Sequence, residues 1–432
     1  MKKIKIGFFV GSLLFGLSLV GCSKKTTKNT TTAKSNTTTK TNTTTKTNTT
    51  TARQVEKVNV IFDSNGGSPV DSQSIEKGTY VTKPNDPKLD GYTFAGWYYE
   101  GEEWNFSSSK VMDNITLTAK WKAYVRDGNK IYFGYYPQTL ESDDEINAIL
   151  NSTVGTPEDG VEGYTWIDYG YPAKKMTTVG MYYIDLDTDG DDKFDYRGVY
   201  FINYRPNCFN LESKDTYTTQ DDYGYLPQTT YWFKYEVVEW FILNEENNEA
   251  LVISNLILDA QDYHPSESRD EFDHNNGKGY ANNYELSNIR KWLNDNFYNC
   301  AFGDLQKELI KNITVDNSGT SSDVSENPYA SNDTDDNVFL LSVSEFDTYF
   351  TGDMKQAAKA VGTDYAKSQG LNRFPWDGAE YEEYKDKSSW RLRTPICNVA
   401  FRAEVISSFG YYGNGYADSA NEGIRPSIVI KL

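Results

Sequence analysis

A run of carboxylates between residues 185 and 195 is the densest group of candidate metal ligands in the sequence. The candidates are Asp185, Asp187, Asp189, Asp191 and Asp195. Oxygen ligands at alternate positions can surround one Ca²⁺, and Gly190 permits the sharp turn that such a loop needs. The spacing therefore predicts a calcium site.

The second half of this run departs from an EF-hand-type calcium loop. Position twelve is Tyr196 and not the bidentate glutamate, so Asp195 or a remote carboxylate would have to complete the site. Residues 181–184 and 196–201 have the pattern of strands and not of flanking helices. The alternative interpretation is an ordinary acidic hairpin turn.

Aromatic residues form a second group of candidates. They make up 15% of the chain, and four lie in segments with the composition of loops, where packing into a core is less expected. These are Trp376, Tyr411, Tyr412 and Tyr416. Exposed aromatic rings of this kind bind carbohydrate or protein partners, whereas the alternative is that they cap the fold beside Trp390.

Few residues could support catalysis. The two histidines, His264 and His274, match no zinc spacing; the alternative to a metal site is a solvated loop. Triads of the Ser-His-Asp or Cys-His type would depend on one of these histidines, and no nucleophile elbow or phosphate-binding loop is present. We assign no catalytic residues and expect a non-enzyme, although a carboxylate pair of the glycosidase type stays open.

The amino terminus has the pattern of an export signal. A basic stretch, Met1–Lys5, precedes the apolar run Ile6–Val20, which is too short to span a membrane. The run ends in Leu-Val-Gly-Cys22, which resembles the bacterial lipoprotein box. This resemblance implies lipidation of Cys22 and attachment to the outer face of the cytoplasmic membrane. The alternative is an ordinary signal peptide with a chance cysteine.

Residues 22–54 are nearly all Thr, Asn, Lys and Ser, with a six-residue repeat, and this composition cannot form a core. We predict a disordered stalk. The whole chain has a formal charge of −19, which argues against a nucleic-acid partner because such proteins need basic surfaces. Besides Cys22, the cysteines are Cys208, Cys300 and Cys397, an odd number that allows at most one internal disulfide.

Residues 55–122 read as a small β domain. Val58, Val60 and Phe62 alternate with polar residues before a tight Asn-Gly-Gly turn. The stretches "VNVIFDSNGG", "GYTFAGWY" and "NITLTAKW" resemble the Listeria-Bacteroides, or internalin B-type, repeat. The resemblance implies a β-grasp-like fold on cell-envelope proteins. Aromatic residues at strand spacing favour a core role for Trp97 and Trp121 over sugar stacking.

Residues 123–432 form a larger region with strands in its first half and at its end. Ser287 is the predicted N-cap of a helix over residues 288–300, and a second helix is predicted from Asp304 to Ile310. The stretches "IYFGYYPQT", "VVEWFILNEENNEALVISNLILD", "YELSNIRKWLNDNFYNCAF" and "GIRPSIVIKL" resemble the family numbered 6273 among the domains of unknown function. An insertion is predicted near residues 141–230. The expected fold class is α+β, and the closing strands are loosely similar to C-type-lectin-like folds.

Together these features predict a lipid-anchored surface protein with a stalk, one small repeat and a large outward domain. Its expected work is binding or adhesion to a carbohydrate, a cell-wall polymer or a host surface protein. The alternatives are a surface enzyme that acts on glycans or wall polymers, and a structural spacer without a ligand.

Overall fold

The computed structural model describes residues 55–89, 91–171, 179–191, 193–207, 219–264, 272–274 and 277–432. The predicted leader, Cys22 and the stalk lie outside these residues, as do Asp192 and Cys208. Strands make up 36% of the structure and helices 16%. This content is consistent with the predicted α+β class, with more β structure than helix. The β-grasp-like and C-type-lectin-like assignments stay predictions. No helix in the described ranges is long and apolar enough to cross a membrane.

The small domain is a five-stranded sheet with the order β2-β1-β5-β3-β4. Its strands are β1 (Lys57–Asp63), β2 (Gln73–Glu76), β3 (Thr93–Tyr99), β4 (Glu102–Glu103) and β5 (Ile115–Lys122). Strands β1 and β5 are parallel, and the other neighbours are antiparallel.

The core of the small domain follows from the alternation in β1, which points Val58, Val60 and Phe62 to one buried face. Trp97 is 1% exposed and packs edge-to-face on Phe62 and Phe94, with ring centroids 5.0 and 5.5 Å away. Trp121 is half-buried, and its Nε1 donates to the Ser64 carbonyl. The predicted core role of these tryptophans is confirmed.

The large region is built on a nine-stranded sheet. Its strands are β6 (Val125–Asp127), β7 (Lys130–Leu140), β8 (Ile167–Asp168), β9 (Met181–Leu186), β10 (Tyr196–Phe201), β11 (Tyr231–Glu246), β12 (Glu249–Ser254), β16 (Ile310–Lys311) and β23 (Ser427–Lys431). Strands β11 and β12 pair as an antiparallel hairpin.

Strand β11 organises this sheet because it pairs along both edges. One edge pairs with β7, and the other pairs first with β10 and then with β12. The register shifts between Lys234 and Tyr235, between Val237 and Glu239, and again after Ile242. Such irregularities bend a strand and increase its twist, which accounts for the curled, half-barrel form of the sheet.

The predicted insertion, residues 141–230, extends the same sheet through β8, β9 and β10. It also contributes helix α1 (Asp144–Val154), whose N-cap Asp143 accepts from the backbone N–H groups of Glu145 and Ile146. The buried face of α1 packs Leu150 and Val154 against Trp232 of β11. The insertion is therefore integrated into the fold.

The predicted helix after Ser287 is present, and the Ser287 side chain caps it. It runs as α2 (Asn288–Trp292), a π-helical turn (Leu293–Phe297) and α3 (Tyr298–Ala301). The next helix, α4 (Asp304–Lys307), is shorter than predicted, because Ile310 already pairs with Ile430 in the sheet.

A second sheet has five strands in the order β13-β22-β19-β20-β21. They are β13 (Asp259–Ala260), β19 (Trp390–Pro395), β20 (Arg402–Ile406), β21 (Tyr412–Tyr416) and β22 (Gly423–Ile424). Two small hairpins, β14 (Phe272–His274) with β15 (Gly277–Gly279) and β17 (Ile313–Val315) with β18 (Thr334–Asp336), lie outside both sheets. The remaining helices are α5 (Val343–Tyr349), α6 (Asp364–Ser368) and two 3₁₀ helices, Gly352–Ala358 and Ala379–Tyr384.

Candidate functional site

The second sheet ends in a hairpin that carries three of the four predicted ligand-binding aromatics. Strands β20 and β21 are antiparallel, and β21 is the edge strand among those described. We call residues 402–416, which comprise both strands and their turn, the aromatic hairpin.

The outer face of the aromatic hairpin follows from the alternation of β21. Tyr412 and Tyr416 are 44% and 40% exposed, and Asn414 lies exposed between them. Gly415 faces inward, where a Cβ atom would lie 3.0 Å from Val405 Cγ1. Because residues two apart on a strand are about 7 Å apart, the two tyrosines stand about 14 Å apart on one face.

Neighbouring side chains hold Tyr416 in place. Arg402 Nη2 donates to the Tyr416 hydroxyl at 2.6 Å, and Arg402 Nη1 donates to Asn414 Oδ1 at 2.8 Å. The guanidinium carbon lies 4.2 Å from the centroid of the Tyr416 ring, and Phe401 stacks nearly parallel to that ring. A ring fixed in this way loses little conformational entropy when a ligand binds.

Tyr412 is anchored at its hydroxyl. Its ring packs edge-to-face on Phe346, and its hydroxyl donates to Asp347 Oδ1 at 2.5 Å. Burial, together with the Asp347 carboxylate, raises the pKa of Tyr412. On the neighbouring strand, burial raises the pKa of Glu404 to about 7.

The other two predicted aromatics lie at the turn of the hairpin. Tyr411 is 74% exposed, and its backbone oxygen accepts from Ser407. Trp376 is 50% exposed and packs against Phe374, Tyr381 and Phe409, each with its centroid 5.5 Å away. Since Phe409 belongs to the turn, the structure places all four predicted residues on or against one hairpin.

Four of the five predicted calcium ligands lie in the turn between β9 and β10, and Asp185 lies within β9, so the strand-like flanks are confirmed. Oxygen atoms of Asp187, Asp189 and Asp195 lie within 4.8 Å of one another. Asp187 Oδ1 accepts from the Gly190 backbone N–H at 2.6 Å. Asp195 Oδ2 accepts from the Thr188 backbone N–H at 2.7 Å. Three carboxylates at this separation offer the oxygen ligands that Ca²⁺ prefers.

The other two predicted ligands lie apart from this group. Both oxygens of Asp185 accept from Arg197, at 2.7 Å each, and Oδ1 also accepts from the Tyr235 hydroxyl. Asp191 forms an ion pair with Lys193 at 3.6 Å. The structure therefore brings three of the five carboxylates together.

The histidines and cysteines form no second metal cluster within the part of the chain that the structure describes. His264 is buried, and its backbone N–H donates to Ala417, so its predicted solvated environment is wrong. The side chain of His274 lies outside the description. Cys300 and Cys397 are free thiols, and burial raises the pKa of Cys300.

A cleft of about 390 Å³, which the sequence did not indicate, opens between the nine-stranded sheet and the α2–α3 helix. Its most buried polar side chains are Arg197, Asp259, Gln261 and Asp262, none more than 8% exposed. Its aromatic lining includes Tyr169, Tyr171, Tyr183 and Trp292. We call this cavity the inner cleft.

A stack of rings borders the inner cleft. The Arg205 guanidinium lies 3.7 Å from the centroid of Tyr171, which stacks parallel on Tyr169 with centroids 5.2 Å apart. Tyr183 packs on Tyr169 at 4.8 Å, and the Arg197 guanidinium lies 4.4 Å from the Tyr183 ring. Two buried guanidinium groups thus cap the column of three tyrosines.

Comparison with family models gives two matches. One match is the Listeria-Bacteroides repeat domain, over residues 59–120, and the other is the domain of unknown function (DUF6273), over residues 247–432. The chain carries a Listeria-Bacteroides repeat followed by a DUF6273 domain. The predicted order of the two is confirmed. Strand β7, which contains "IYFGYYPQT", lies before the DUF6273 match but pairs with β11 in the same sheet.

Two relatives come from Evansella cellulosilytica. One, named "Putative Gly-rich membrane protein", is 42% identical over 72 residues, which are 16% of this chain and 8% of the relative. The other, named "Putative membrane protein", is 31% identical over 125 residues, 27% of this chain and 18% of the relative. The chain therefore spans less than a fifth of either relative. Their names are consistent with membrane or envelope association.

Proposed function

We propose that the protein is a lipid-anchored surface module that binds a carbohydrate or cell-wall polymer through the aromatic hairpin. The repeat belongs to a surface-associated family, and the relatives carry membrane-protein names. Lipidation of Cys22, supported by the leader sequence, attaches the protein to the outer face of the cytoplasmic membrane.

The observation that carries the proposal is the outer face of the hairpin. Tyr412 and Tyr416 are exposed, yet each is held by a polar neighbour, Asp347 and Arg402. Their separation of about 14 Å lets them contact two rings of one linear glycan. Asn414 between them supplies amide hydrogen bonds to hydroxyl groups.

The test is an array of glycans and cell-wall polymers probed with purified full-length protein. Binding to a polymer should fall about tenfold in Tyr416→Ala, because a stacking ring and its polar contacts are lost together. Tyr412→Ala should act in the same direction. Tyr80→Ala is the matched control, since Tyr80 is 49% exposed on the small domain.

Each outcome of this array separates the candidate functions. Equal binding by the Tyr416 and Tyr80 variants removes the hairpin as the site. Polymer cleavage by the wild-type protein contradicts a pure binding module and supports the enzyme alternative. The absence of any captured polymer supports the spacer alternative.

The anchor has its own test. Cells that express the full chain and are fed labelled palmitate should label the protein, and Cys22→Ser should abolish the label and release the protein from membranes. Equal labelling of the variant contradicts the anchor and leaves the hairpin proposal untouched.

A further inference from the structure

We infer that the inner cleft is a second binding site, separate from the aromatic hairpin, for a neutral polyhydroxylated ring of the size of one or two sugar residues. Its volume of about 390 Å³ is within the range of small-ligand sites. The two sites share no side chain, so each can be tested alone.

The charges around the inner cleft disfavour ionic ligands of either sign. Asp168, Asp259 and Asp262 line it and repel anions, whereas Arg197 and Lys291 repel cations. The faces of the tyrosine column are already covered by guanidinium groups, so they form no cage for an ammonium group. A neutral ligand with many hydroxyl groups can use both the acceptors and the donors.

Asp262 is the side chain best placed to accept hydrogen bonds from such a ligand. It is 8% exposed and lines the cleft, and its charged neighbours include Arg205 and Arg391. The Arg205 Nη2 atom lies 3.7 Å from Asp262 Oδ1, which is too long for a hydrogen bond. Arg205 Nε and Nη2 are buried without a hydrogen bond to any described residue. The loose pair keeps a counter-charge beside Asp262, and Arg205 does not hydrogen-bond to its oxygens.

The helix opposite Asp262 presents a polar and aromatic stripe to the cleft. Asn288, Trp292 and Asn296 lie at intervals of four residues and all line the cavity. The stripe runs into the π-helical turn Leu293–Phe297, a distortion that often occurs at functional sites. Two amides and an indole opposite a carboxylate are the combination that orients a sugar ring.

Saturation-transfer NMR on the full-length protein tests this site, with glucose, N-acetylglucosamine and their β-1,4-linked dimers as probes at millimolar concentration. At least one probe should bind. Asp262→Asn should weaken its affinity about tenfold, because a hydrogen bond to a charged group is weakened. Asn296→Ala should weaken it in the same direction, and it removes an exposed side chain that the fold does not need.

Two controls keep the result specific. Asp295→Asn makes the same chemical change as Asp262→Asn and lies next to Asn296 in sequence, but its side chain lines a different cavity, so binding should be unchanged. Tyr416→Ala should also leave probe binding unchanged, which distinguishes failure of the inner cleft from failure of the hairpin. If Asp262→Asn does not fold, the affinity of Asn296→Ala for the probe tests the inference instead. No transfer from any probe, or equal affinity of wild type and Asn296→Ala, overturns the inference.

Discussion

Arg197 and Asp185 form a bidentate ion pair across strands β9 and β10, with Nε–Oδ1 and Nη2–Oδ2 distances of 2.7 Å. The two side chains are only 7% and 13% exposed. Both ions have lost most of their hydration. The short bidentate hydrogen bonds between them offset that loss. In this arrangement Asp185 acts as the partner of a buried cation.

We expect Asp185→Ala to lower the free energy of unfolding by about 3–5 kcal/mol, since it leaves the Arg197 charge buried and unpaired. Adding Arg197→Met should recover most of this loss because no charge is then buried. Urea unfolding followed by circular dichroism measures both changes. Asp191→Ala, an exposed change in the same turn, is the control and should cost about 0–1 kcal/mol. An equal loss in the two single variants would contradict the role of the pair.

Calcium should raise the melting temperature of the protein if Asp187, Asp189 and Asp195 share one ion, because a ligand that binds only the folded state stabilises it. The Asp187→Ala and Asp189→Ala variants should lose this rise. Differential scanning calorimetry at millimolar Ca²⁺ and in EDTA gives the comparison.

Magnesium at the same concentration is the ionic control for the calcium experiment, since it demands a stricter octahedral geometry. A wild-type melting temperature that is the same in Ca²⁺ and EDTA would reject the site and leave an acidic turn.

Glu404 should make the stability of the protein depend on pH. Burial raises its pKa from 4.5 to about 7, so the folded state holds a proton that the unfolded state has released. The stabilisation is complete below pH 4.5 and is lost as the pH rises through 7. Glu404→Gln should therefore melt higher than wild type at pH 8 and close to it at pH 4.

The matched control for this titration is Glu102→Gln, which changes an exposed carboxylate of the small domain. Thermal melts across pH 4 to 8 on the three proteins make the comparison. The interpretation fails if the difference between Glu404→Gln and wild type does not change with pH.

Trp97→Ala should remove about 3–5 kcal/mol from the small domain, because it empties the centre of that core. The large domain has a core of its own around Trp240, so its unfolding should be little changed. Calorimetry should show the loss confined to one transition. Tyr80→Ala is an exposed aromatic control, and a loss of similar size there would contradict the assignment.

Local patterns were sufficient to predict much of this fold. The alternation in Val58, Val60 and Phe62 predicted β1, and the Ser287 cap predicted the start of α2. Both features depend on residues close together in the chain. The helix predicted to reach Ile310 ended early because pairing with Ile430, far away in sequence, overrides local propensity.

The candidate sites also differ in whether neighbouring residues or distant segments form them. Tyr411, Tyr412 and Tyr416 of the aromatic hairpin are close together in sequence, so the composition of that segment was enough to predict them as one group. The inner cleft joins Tyr169, Asp262 and Trp292, which come from three distant segments. No ligand-binding motif marks these residues, and only the curled sheet brings them together. The sequence also did not predict that Asp185 pairs with Arg197. The spacing of metal ligands carries no information about an arginine on the neighbouring strand.

Strand β23 lies between β12 and β16, although its residues, Ser427–Lys431, come more than a hundred positions after either partner. A growing polypeptide that has not yet reached Ser427 has no bridge between those two strands, and the large sheet stays open. Completion of this domain must therefore wait until almost all of its residues have been synthesised. Such a delay keeps the chain unfolded for longer, which is compatible with the export step that the proposed function requires.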